Sequence, residues 1–388
     1  MEVFKTKITK TNLLKSDQVP KNPTHLICFS HLRWDFVYQR PQHLLTRFSL
    51  HYKVFFVEEP LYDANGEPTI TLHSRGDNIW LVVPHVPPNT SAADATAIQK
   101  NLLDKVVGDT DPSAYLFWYY TPMAMAFSGH YNPAFVVYDC MDELSNFMFA
   151  PPQLKQYEKD LLGKADIVFT GGRSLFEAKK SQHQNIFPFP SSIDKKHFEQ
   201  ARSIEHEPAD QAAIPYPRLG FYGVIDERFD IDLIAGMAAA KPNWNFVLLG
   251  PVVKIDPATL PRLSNLHFLG SKTYNELPSY LSKWDIALIP FLLNDATRYI
   301  SPTKTPEYLA AGVPVVSTPI KDVVYPYGEE GFVKIASDAS GFVKAAEELM
   351  RIDMSTWIPS VDEFLSTQSW SLTHTEMLNK INETFLLK

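Results

Sequence analysis

Cysteine is scarce in this sequence, with only Cys28 and Cys140 among 388 residues. Both fall in or beside apolar runs, which is typical of reduced core residues rather than of a disulfide framework or a metal site. The sequence therefore predicts a protein of a reducing compartment, the cytoplasm.

Long apolar runs are missing as well. No stretch reaches the roughly 18 residues that a membrane-spanning helix needs. The first 22 residues are polar and rich in lysine, and they lack the apolar centre of a signal peptide. We interpret residues 1–22 as a tail, and peripheral contact with the inner face of a membrane is the alternative.

Excess positive charge and the common catalytic motifs are absent. The net charge of −8 argues against a general nucleic-acid binder. Neither G-x-G-x-x-G nor G-x-x-x-x-G-K-[ST] occurs, which argues against nicotinamide and P-loop chemistry. The motifs H-E-x-x-H, paired C-x-x-C and G-x-S-x-G are also missing. We therefore expect no metal and no bound cofactor.

The sequence does contain a strand–helix pattern that occurs twice. The strand HLICF at 25–29, a helix opening at Arg40 and the strand YKVFFV at 52–57 form a βαβ unit, which predicts a parallel sheet. The pattern breaks over residues 204–217, which hold three prolines, and restarts with a strand at 218–222. This predicts an α/β protein whose two Rossmann-like domains, residues 23–203 and 218–366, face each other across a cleft.

The strongest functional signal is the segment from residue 285 to 319, DIALIPFLLNDATRYISPTKTPEYLAAGVPVVSTP. It reads as strand, loop, short helix and strand, with Thr305 as the helix cap and Pro306 at the first helical position. A polar loop that enters a helix offers free N–H groups and the positive end of a dipole to an anion.

Side chains around the start of this helix add further groups that could bind an anion or a sugar. Ser301, Thr303 and Thr305 supply hydroxyl groups, Lys304 supplies a cation, and Glu307 can bond sugar hydroxyls. A phosphate ester that bears a ribose would satisfy all of them. The alternative is an ordinary capped helix with a surface lysine and a solvated glutamate.

The loop after the first strand holds His31, Arg33, Trp34 and Arg40. It lies at the carboxyl end of the strand, where ligands bind in such sheets. Arginine bonds oxygens bidentately and tryptophan can stack on a sugar, so this loop would suit a sugar or a phosphorylated acceptor. The alternative is a solvated loop with Trp34 packed inward.

Acidic and basic residues also follow later strands. Asp139 and Asp142 follow the strand predicted at 135–138, where a carboxylate could orient an acceptor hydroxyl or act as a base. The alternative is that Asp142 caps the next turn. Gly223, Asp226 and Arg228 follow the strand at 218–222, and Arg228 could neutralise a leaving diphosphate unless it is a surface arginine.

A further group of residues, Gly270 and Tyr274, follows another predicted strand. A nucleotide base could lie there against the backbone and the ring. On its own this signal is weak.

These pieces together resemble a GT-B glycosyltransferase of the large retaining group, known as family 4 or group 1. The subgroup is the teichuronic-acid-type transferases that build bacterial envelope polysaccharides. The resemblance covers nearly the whole chain, and the segments that carry it are SHLRWDFVYQRPQHLLTRF, YKVFFVEEP, YDCMDEL, TGGRSLFEAKK, FPSSIDKKHF, SPTKTPEYLAAGVPVVST and SWSLTHTEMLNKINETFL.

The resemblance implies a nucleotide-sugar donor, UDP- or GDP-linked, in the second domain and an acceptor in the first. It implies that Glu307 binds the nucleotide ribose and that Ser301, Thr303 and Lys304 meet the diphosphate. It also implies that a closing helix at 367–388 crosses back to the first domain.

The chain departs from the group at four places. Two lie in the first domain, where the glycine-rich first loop is replaced by residues 31–35 and the usual histidine has no clear counterpart, and two lie in the second. Tyr299 and Ile300 stand where members carry a first glutamate and a glycine. Gly223 is followed by Val224 rather than arginine, and Phe229 replaces a downstream lysine. Positive charge at the diphosphate is thereby left to Arg228 and Lys304, which we predict to be catalytic together with Asp142.

These expectations describe a metal-independent, retaining glycosyltransferase of bacterial cell-surface polysaccharide synthesis, acting on a saccharide or lipid-linked acceptor. Two alternatives stay open. One is a nucleotide-sugar epimerase or hydrolase of the same fold, and the other is a catalytically weak sugar-binding scaffold protein.

Overall fold

The computed structural model describes residues 23–108 and 110–388. Within these ranges the chain forms two α/β domains, each built on one sheet. The predicted tail at residues 1–22 lies outside the described residues, so its contact with a membrane stays a prediction. No helix in the described part of the chain is long and apolar enough to cross a bilayer.

The first domain holds an eight-stranded sheet in the order β3-β4-β2-β1-β5-β6-β7-β8. Only β3, at one edge, runs antiparallel to its neighbour. The central strands are buried on both faces, which explains their uninterrupted apolar sequences. The strands are β1 His25–Phe29, β2 Lys53–Val57, β3 Thr69–Ser74, β4 Ile79–His85, β5 Tyr115–Tyr119, β6 Phe135–Cys140, β7 Ile167–Thr170 and β8 Ile186–Pro188.

The second domain holds a six-stranded parallel sheet in the order β11-β10-β9-β12-β13-β14. Gly220 in β9 lies directly against the ring of Trp284, so that an added Cβ would lie 2.0 Å from it. The strands are β9 Arg218–Tyr222, β10 Asn245–Leu249, β11 Leu266–Gly270, β12 Ile286–Ile289, β13 Val315–Ser317 and β14 Val333–Ile335.

Helices connect the strands and cover both sheets. Six of the fourteen α-helices in the described part of the chain begin at an Asp or Ser that accepts a hydrogen bond from the first turn, as in the helix after Ser91. The α-helices are α1 Arg40–Phe48, α2 Ala92–Val107, α3 Met125–Ser128, α4 Leu154–Lys164, α5 Arg173–Lys179, α6 Lys195–Glu199, α7 Ala209–Ala212, α8 Ile231–Ala240, α9 Leu277–Leu281, α10 Lys304–Ala310, α11 Lys321–Val323, α12 Ala339–Leu349, α13 Met354–Phe364 and α14 Trp370–Leu386.

The chain passes between the domains earlier than the predicted linker at 204–217. Phe189 belongs to the core of the first domain, whereas Ile193 and Phe198 already pack in the core of the second. The proline-rich segment is thus part of the second domain, where Gln211 bonds the indole of Trp284 at 2.8 Å.

The last helix returns to the first domain, as the resemblance implied. Trp370, Met377 and Ile381 of α14 pack in the core built on β1 and its neighbours. The prediction of two Rossmann-like domains closed by a crossing helix is confirmed. Cys28 and Cys140 are buried and unpaired, in agreement with their interpretation as core residues.

Candidate active site

The predicted anion-binding helix is α10, and it begins two residues earlier than expected. Thr303 occupies the cap position, without a side-chain cap bond, and Lys304 is the first helical residue. The prediction that Thr305 caps the helix is wrong, because the main chain already turns at Pro302, whose carbonyl accepts from the Thr305 N–H at 3.2 Å. Pro306 then falls within the first turn, where its missing N–H leaves no helical bond unmade.

Lys304 lies half-buried between two aromatic rings. Its ammonium is 5.7 Å from the ring centre of Phe221 and 5.8 Å from that of Phe291. The stem of Lys304 occupies the place where a side chain on Gly223 would lie, since an added Cβ would come within 2.3 Å of Cε. Gly223, which was predicted to bind the ligand, has a φ of +142°, which favours glycine. Its missing side chain leaves the room that Lys304 occupies.

The ammonium of Lys304 makes no hydrogen bond to any residue that the structure describes. Burial lowers the pKa of Lys304, and the nearby carboxylate of Glu307 opposes this effect. A half-buried ammonium that makes no hydrogen bond within the described chain keeps its full bonding capacity, so this position can receive an anion that the protein itself does not supply.

Glu307 lies on the same helix and is 7% exposed. Its carboxylate accepts a hydrogen bond from the hydroxyl of Tyr222, the last residue of β9. Burial raises the pKa of Glu307, while the bond from Tyr222 and the charge of Lys304 oppose the rise. Tyr222 was not predicted from the sequence, because a tyrosine that ends a buried strand looks like a core residue.

Further polar groups near α10 are unpartnered. The hydroxyl oxygens of Thr305 and Tyr274 are buried and have no hydrogen-bond partner. The hydroxyls of Ser301 and Thr303 bond no described residue either. Glu307 raises the pKa of Tyr274 after the larger effect of burial, which places the two side chains in one neighbourhood.

The predicted base-binding loop is partly open. Gly270 has a φ of +70° and no atom within 4 Å of an added Cβ, so a ligand could approach its backbone. Tyr274 stacks face to face on His197, with ring centres 4.1 Å apart. Its ring is therefore held in one orientation beside that opening.

Arg228 and Asp226 face the first domain. The guanidinium of Arg228 binds the carboxylate of Asp226 through two nitrogens, at 2.7 and 3.0 Å. Asp142, on the loop after β6, is mostly buried, and burial raises its pKa while Arg228 and Arg40 oppose the rise. The structure thus brings the predicted Asp142 and Arg228 together across the cleft.

Arg40 and Asp139 bind each other instead of an open surface. Their side chains are 4% and 0% exposed, and two bonds of 2.8 and 3.0 Å join them. The remaining nitrogen of Arg40 donates to the carbonyl of Phe189. This pair connects α1, β6 and the end of the first domain, and burial keeps both side chains out of reach of an acceptor. Direct acceptor contact by Arg40 and Asp139 is therefore corrected to a structural pairing.

Arg33 and Trp34 are also engaged within the first domain. Arg33 donates to Glu58 at 2.8 Å, and the indole of Trp34 packs edge-on against Phe56. Trp34 is 9% exposed, which agrees with the inward-packed alternative and not with a sugar-stacking surface. His31 differs from them, because its Nδ1 is buried and has no partner.

Several contacts close the cleft. Asp322, in α11, accepts hydrogen bonds from the main-chain N–H groups of Arg173 and Ser174 at 2.8 and 2.9 Å. A carboxylate of the second domain thereby caps α5 of the first. Asn146 also donates to the carbonyl of Asp295 at 3.1 Å. The domains are therefore joined on the side of the cleft next to α10.

Tyr299, the residue that replaces the group's first glutamate, packs against the core of the first domain. Ser301 follows it and lies beside Gly172, where an added Cβ would come within 2.9 Å of the serine side chain. The segment that leads into α10 therefore connects that helix with the first domain.

A cavity of about 560 Å³ opens at the same edge of the second sheet. It lies between the loops after β12 and β13, and Leu293, Arg298, Pro319 and Lys321 are among its lining residues. None of the residues predicted for the site lines it. The site argument therefore rests on the unpartnered groups of α10 and not on this cavity.

Comparisons with known proteins agree with this geometry. Residues 217–351 match the family model described as Glycosyl transferases group 1. A curated relative from Bacillus subtilis (strain 168), named as a teichuronic acid biosynthesis glycosyltransferase, TuaH, is 26% identical over 238 residues. That alignment covers 55% of this chain and 59% of the relative, so the match spans less than two thirds of the relative's length.

Solved structures share the architecture over nearly the whole chain. Sucrose-phosphate synthase from Thermosynechococcus elongatus superposes with a TM-score of 0.69 at 15% identity, covering 94% of this chain and 100% of that one. Anabaena Alr3699/HepE, in complex with UDP and glucose, gives a TM-score of 0.65 at 12% identity and covers 92% of this chain and 99% of its own.

The two facing Rossmann-like domains, with the last helix returned to the first, define a GT-B protein. Within that fold, residues 217–351 of the second domain match the family Glycosyl transferases group 1.

Proposed function

We propose that this protein transfers a sugar from a nucleoside diphosphate donor, UDP- or GDP-linked, to a saccharide or lipid-linked acceptor. The second domain binds the donor and the first domain presents the acceptor. The observation that carries the proposal is the pair of ionisable side chains on α10: Lys304, half-buried and without a hydrogen bond to any described residue, and Glu307, bonded only by Tyr222 among the described residues.

The two side chains suit different parts of a nucleotide. The ammonium of Lys304 and the N–H groups at the start of α10 meet the diphosphate, and the carboxylate of Glu307 accepts hydrogen bonds from the ribose hydroxyls. The base lies against Gly270 and Tyr274. Each group that the protein leaves unsatisfied thereby gains a partner when the donor binds.

In the reaction, the bond between the anomeric carbon and the diphosphate oxygen breaks, a bond to an acceptor oxygen forms, and the proton of the acceptor hydroxyl passes to the departing diphosphate. Lys304 and Arg228 stabilise the negative charge that develops on the departing diphosphate. Asp142 orients the acceptor hydroxyl. Because cationic side chains and helix N–H groups supply the stabilisation, we propose that no metal ion is required. The proposal that configuration is retained rests on the resemblance to the retaining group alone.

Closure of the cleft protects the donor from water. The contacts of Asp322 with α5 and of Asn146 with Asp295 hold the domains together around the site. A nucleotide sugar enclosed in this way reacts with an acceptor in preference to hydrolysis. The name of the relative from Bacillus subtilis supports an acceptor in cell-envelope polysaccharide synthesis.

The test is nucleotide release from UDP-glucose and GDP-mannose, with and without a panel of saccharide acceptors and with EDTA present throughout. We expect release that depends on an acceptor and falls at least tenfold in Lys304→Met and Glu307→Gln, whereas Lys344→Met, an exposed control lysine, releases nucleotide as the wild type does. Acceptor-independent turnover would indicate an epimerase or hydrolase. Binding without any turnover would indicate a scaffold.

A further inference from the structure

The ring of Tyr274, on the loop after β11, is surrounded by four other rings. His197 stacks on it with ring centres 4.1 Å apart and an angle of 9° between the planes. Tyr38 lies 4.7 Å away at 32°. His43 and Phe198 meet it edge-on, at 5.5 and 5.6 Å. Because aromatic pairs prefer defined relative orientations, these contacts together fix the direction of the Tyr274 ring.

The four surrounding rings come from both domains. His197 and Phe198 belong to α6, and Phe198 packs in the core of the second domain. Tyr38 precedes α1 and His43 lies within it, so these two rings belong to the first domain. His43 also stacks on Trp370 of α14, with ring centres 4.7 Å apart. The orientation of a side chain of the second domain therefore depends on rings that the first domain supplies.

The aromatic contacts continue from Tyr274 to the carboxylate of α10. The ring of Phe198 is parallel to that of Tyr222, at 4° and 6.4 Å between the centres. The hydroxyl of Tyr222 donates to Glu307. An unbroken series of side-chain contacts thus joins the first domain to this carboxylate, in the order Tyr38, Tyr274, Phe198, Tyr222 and Glu307.

Tyr38 is the outermost member of this series. It is 41% exposed, so it fills no core position, and its ring contacts are with His43 and Tyr274. A binding site depends on the packing that locks the orientation of its ligand-contacting groups, within about 0.5 Å of the productive geometry. Tyr38 supplies such packing from the opposite domain.

We propose that Tyr38 is a positioning residue for the nucleotide site of the second domain. It holds Tyr274 in place and, through Phe198, the pair formed by Tyr222 and Glu307. This inference rests on the proposed function, in which Glu307 binds the ribose. It goes beyond that function because it makes nucleotide affinity depend on a side chain of the first domain that acts without touching the nucleotide.

The test measures UDP and GDP binding by titration calorimetry. We expect Tyr38→Leu to weaken binding of the preferred nucleotide about three- to tenfold, the loss that one aromatic contact would give. Tyr38→Phe keeps the ring and should bind within about twofold of the wild type. The matched control is Tyr62→Leu, a change at a first-domain tyrosine that is 50% exposed and contacts no ring in the part of the chain that the structure describes. Wild-type affinity in a folded Tyr38→Leu protein would overturn the proposal.

Two further measurements separate positioning from a structural role. If Tyr38 acts through Tyr222, the double variant Tyr38→Leu/Tyr222→Phe should lose less affinity than the product of the two single losses. The acidic limb of the affinity profile should also move to higher pH in Tyr38→Leu, because a misplaced Tyr222 hydroxyl no longer favours the ionised carboxylate of Glu307. Multiplicative losses with an unmoved limb would contradict the proposal.

A measurement without nucleotide keeps this inference distinct from the proposed function. In protein with carbon-13-labelled tyrosine, the loss of a signal in Tyr274→Phe assigns the ring of Tyr274. We expect separate NMR signals for the two edges of this ring in the wild type, since an enclosed ring flips slowly, and one averaged signal in Tyr38→Leu. Identical signals in both proteins would overturn the inference. Failure of the wild type to bind UDP or GDP would overturn the proposed function, and the Tyr274 signals would still decide whether Tyr38 fixes this ring.

Discussion

The two domains carry polar side chains at equivalent places, after strands at the edge that faces the cleft, but they use them differently. In the first domain, Arg40 and Asp139 form a buried ion pair that is shielded from solvent. In the second, the ammonium of Lys304 makes no hydrogen bond to any described residue, and Glu307 accepts one, from Tyr222. The position of a polar residue in the fold therefore makes it only a candidate for ligand binding. The better indication is that its hydrogen-bonding groups are not already used within the protein.

The largest expected effect comes from breaking the satisfied pair. Arg40→Met leaves the carboxylate of Asp139 buried and alone, which should lower the free energy of unfolding by about 3–5 kcal/mol. Urea denaturation followed by circular dichroism measures this loss. The double variant Arg40→Met/Asp139→Leu should recover most of the stability. A stable Arg40→Met protein with impaired acceptor use would instead restore the acceptor role.

The unsatisfied group should behave in the opposite way. Lys304→Met removes a charge that makes no hydrogen bond to any described residue and interacts with Glu307 only through space, so the melting temperature should change little. Affinity for a nucleoside diphosphate should fall roughly 10- to 100-fold, because a charged hydrogen bond contributes about 1.5–3 kcal/mol. Lys344→Met, measured alongside by calorimetry, should change neither quantity. Destabilisation of the Lys304 variant would show that this lysine is structural.

The pH dependence of nucleotide affinity provides a third test of the difference between the two domains. Glu307 and Lys304 both bind the nucleotide in their ionised forms, and burial raises the pKa of the first and lowers that of the second. Affinity should therefore decrease as the pH falls through the raised pKa of Glu307, and again as it rises through the lowered pKa of Lys304. Calorimetry across pH 5–10 should give a bell-shaped profile. A flat profile would contradict the assignment of either group.

A smaller effect should follow removal of the Tyr222 hydroxyl. Tyr222→Phe takes away the one hydrogen bond that the described residues donate to Glu307, which should weaken nucleotide binding about 3- to 10-fold at neutral pH, since such a bond contributes roughly 1 kcal/mol. The acidic limb of the pH profile should also move to higher pH, because the lost bond favoured the ionised carboxylate. A structural role alone would leave that limb in place.

The sequence predicts most of the fold because its signals are local. Buried parallel strands such as β1, β9 and β12 are continuous apolar runs, and their bounds match the structure. Two strands at sheet edges, β3 and β8, were missed: β3 is largely exposed, and β8 is only three residues long. Short or solvent-facing strands lack the apolar run on which the prediction depends.

The site was predicted only in part because pairing is not local. Nothing near Arg40 in the sequence shows that its partner lies 99 residues away. The sequence around Lys254, on the loop after β10, contains no recognisable motif. Its left-handed backbone angle and its contact with Phe147, on the loop after β6, are seen only in the folded protein. Asp322 caps a helix of the other domain. By contrast, Lys304 and Glu307 share one short helix, so the sequence already identified both as candidates for one ligand, with an ordinary capped helix as the alternative.

The most direct test of this account is calorimetric titration of nucleoside monophosphates and diphosphates, with uracil and guanine bases, into the wild type and Lys304→Met. The account predicts that the wild type binds one diphosphate more tightly than its monophosphate, and that Lys304→Met loses most of this difference. It predicts that monophosphate affinity changes little. Absence of nucleotide binding by the wild type, or an undiminished preference for the diphosphate in Lys304→Met, would contradict it.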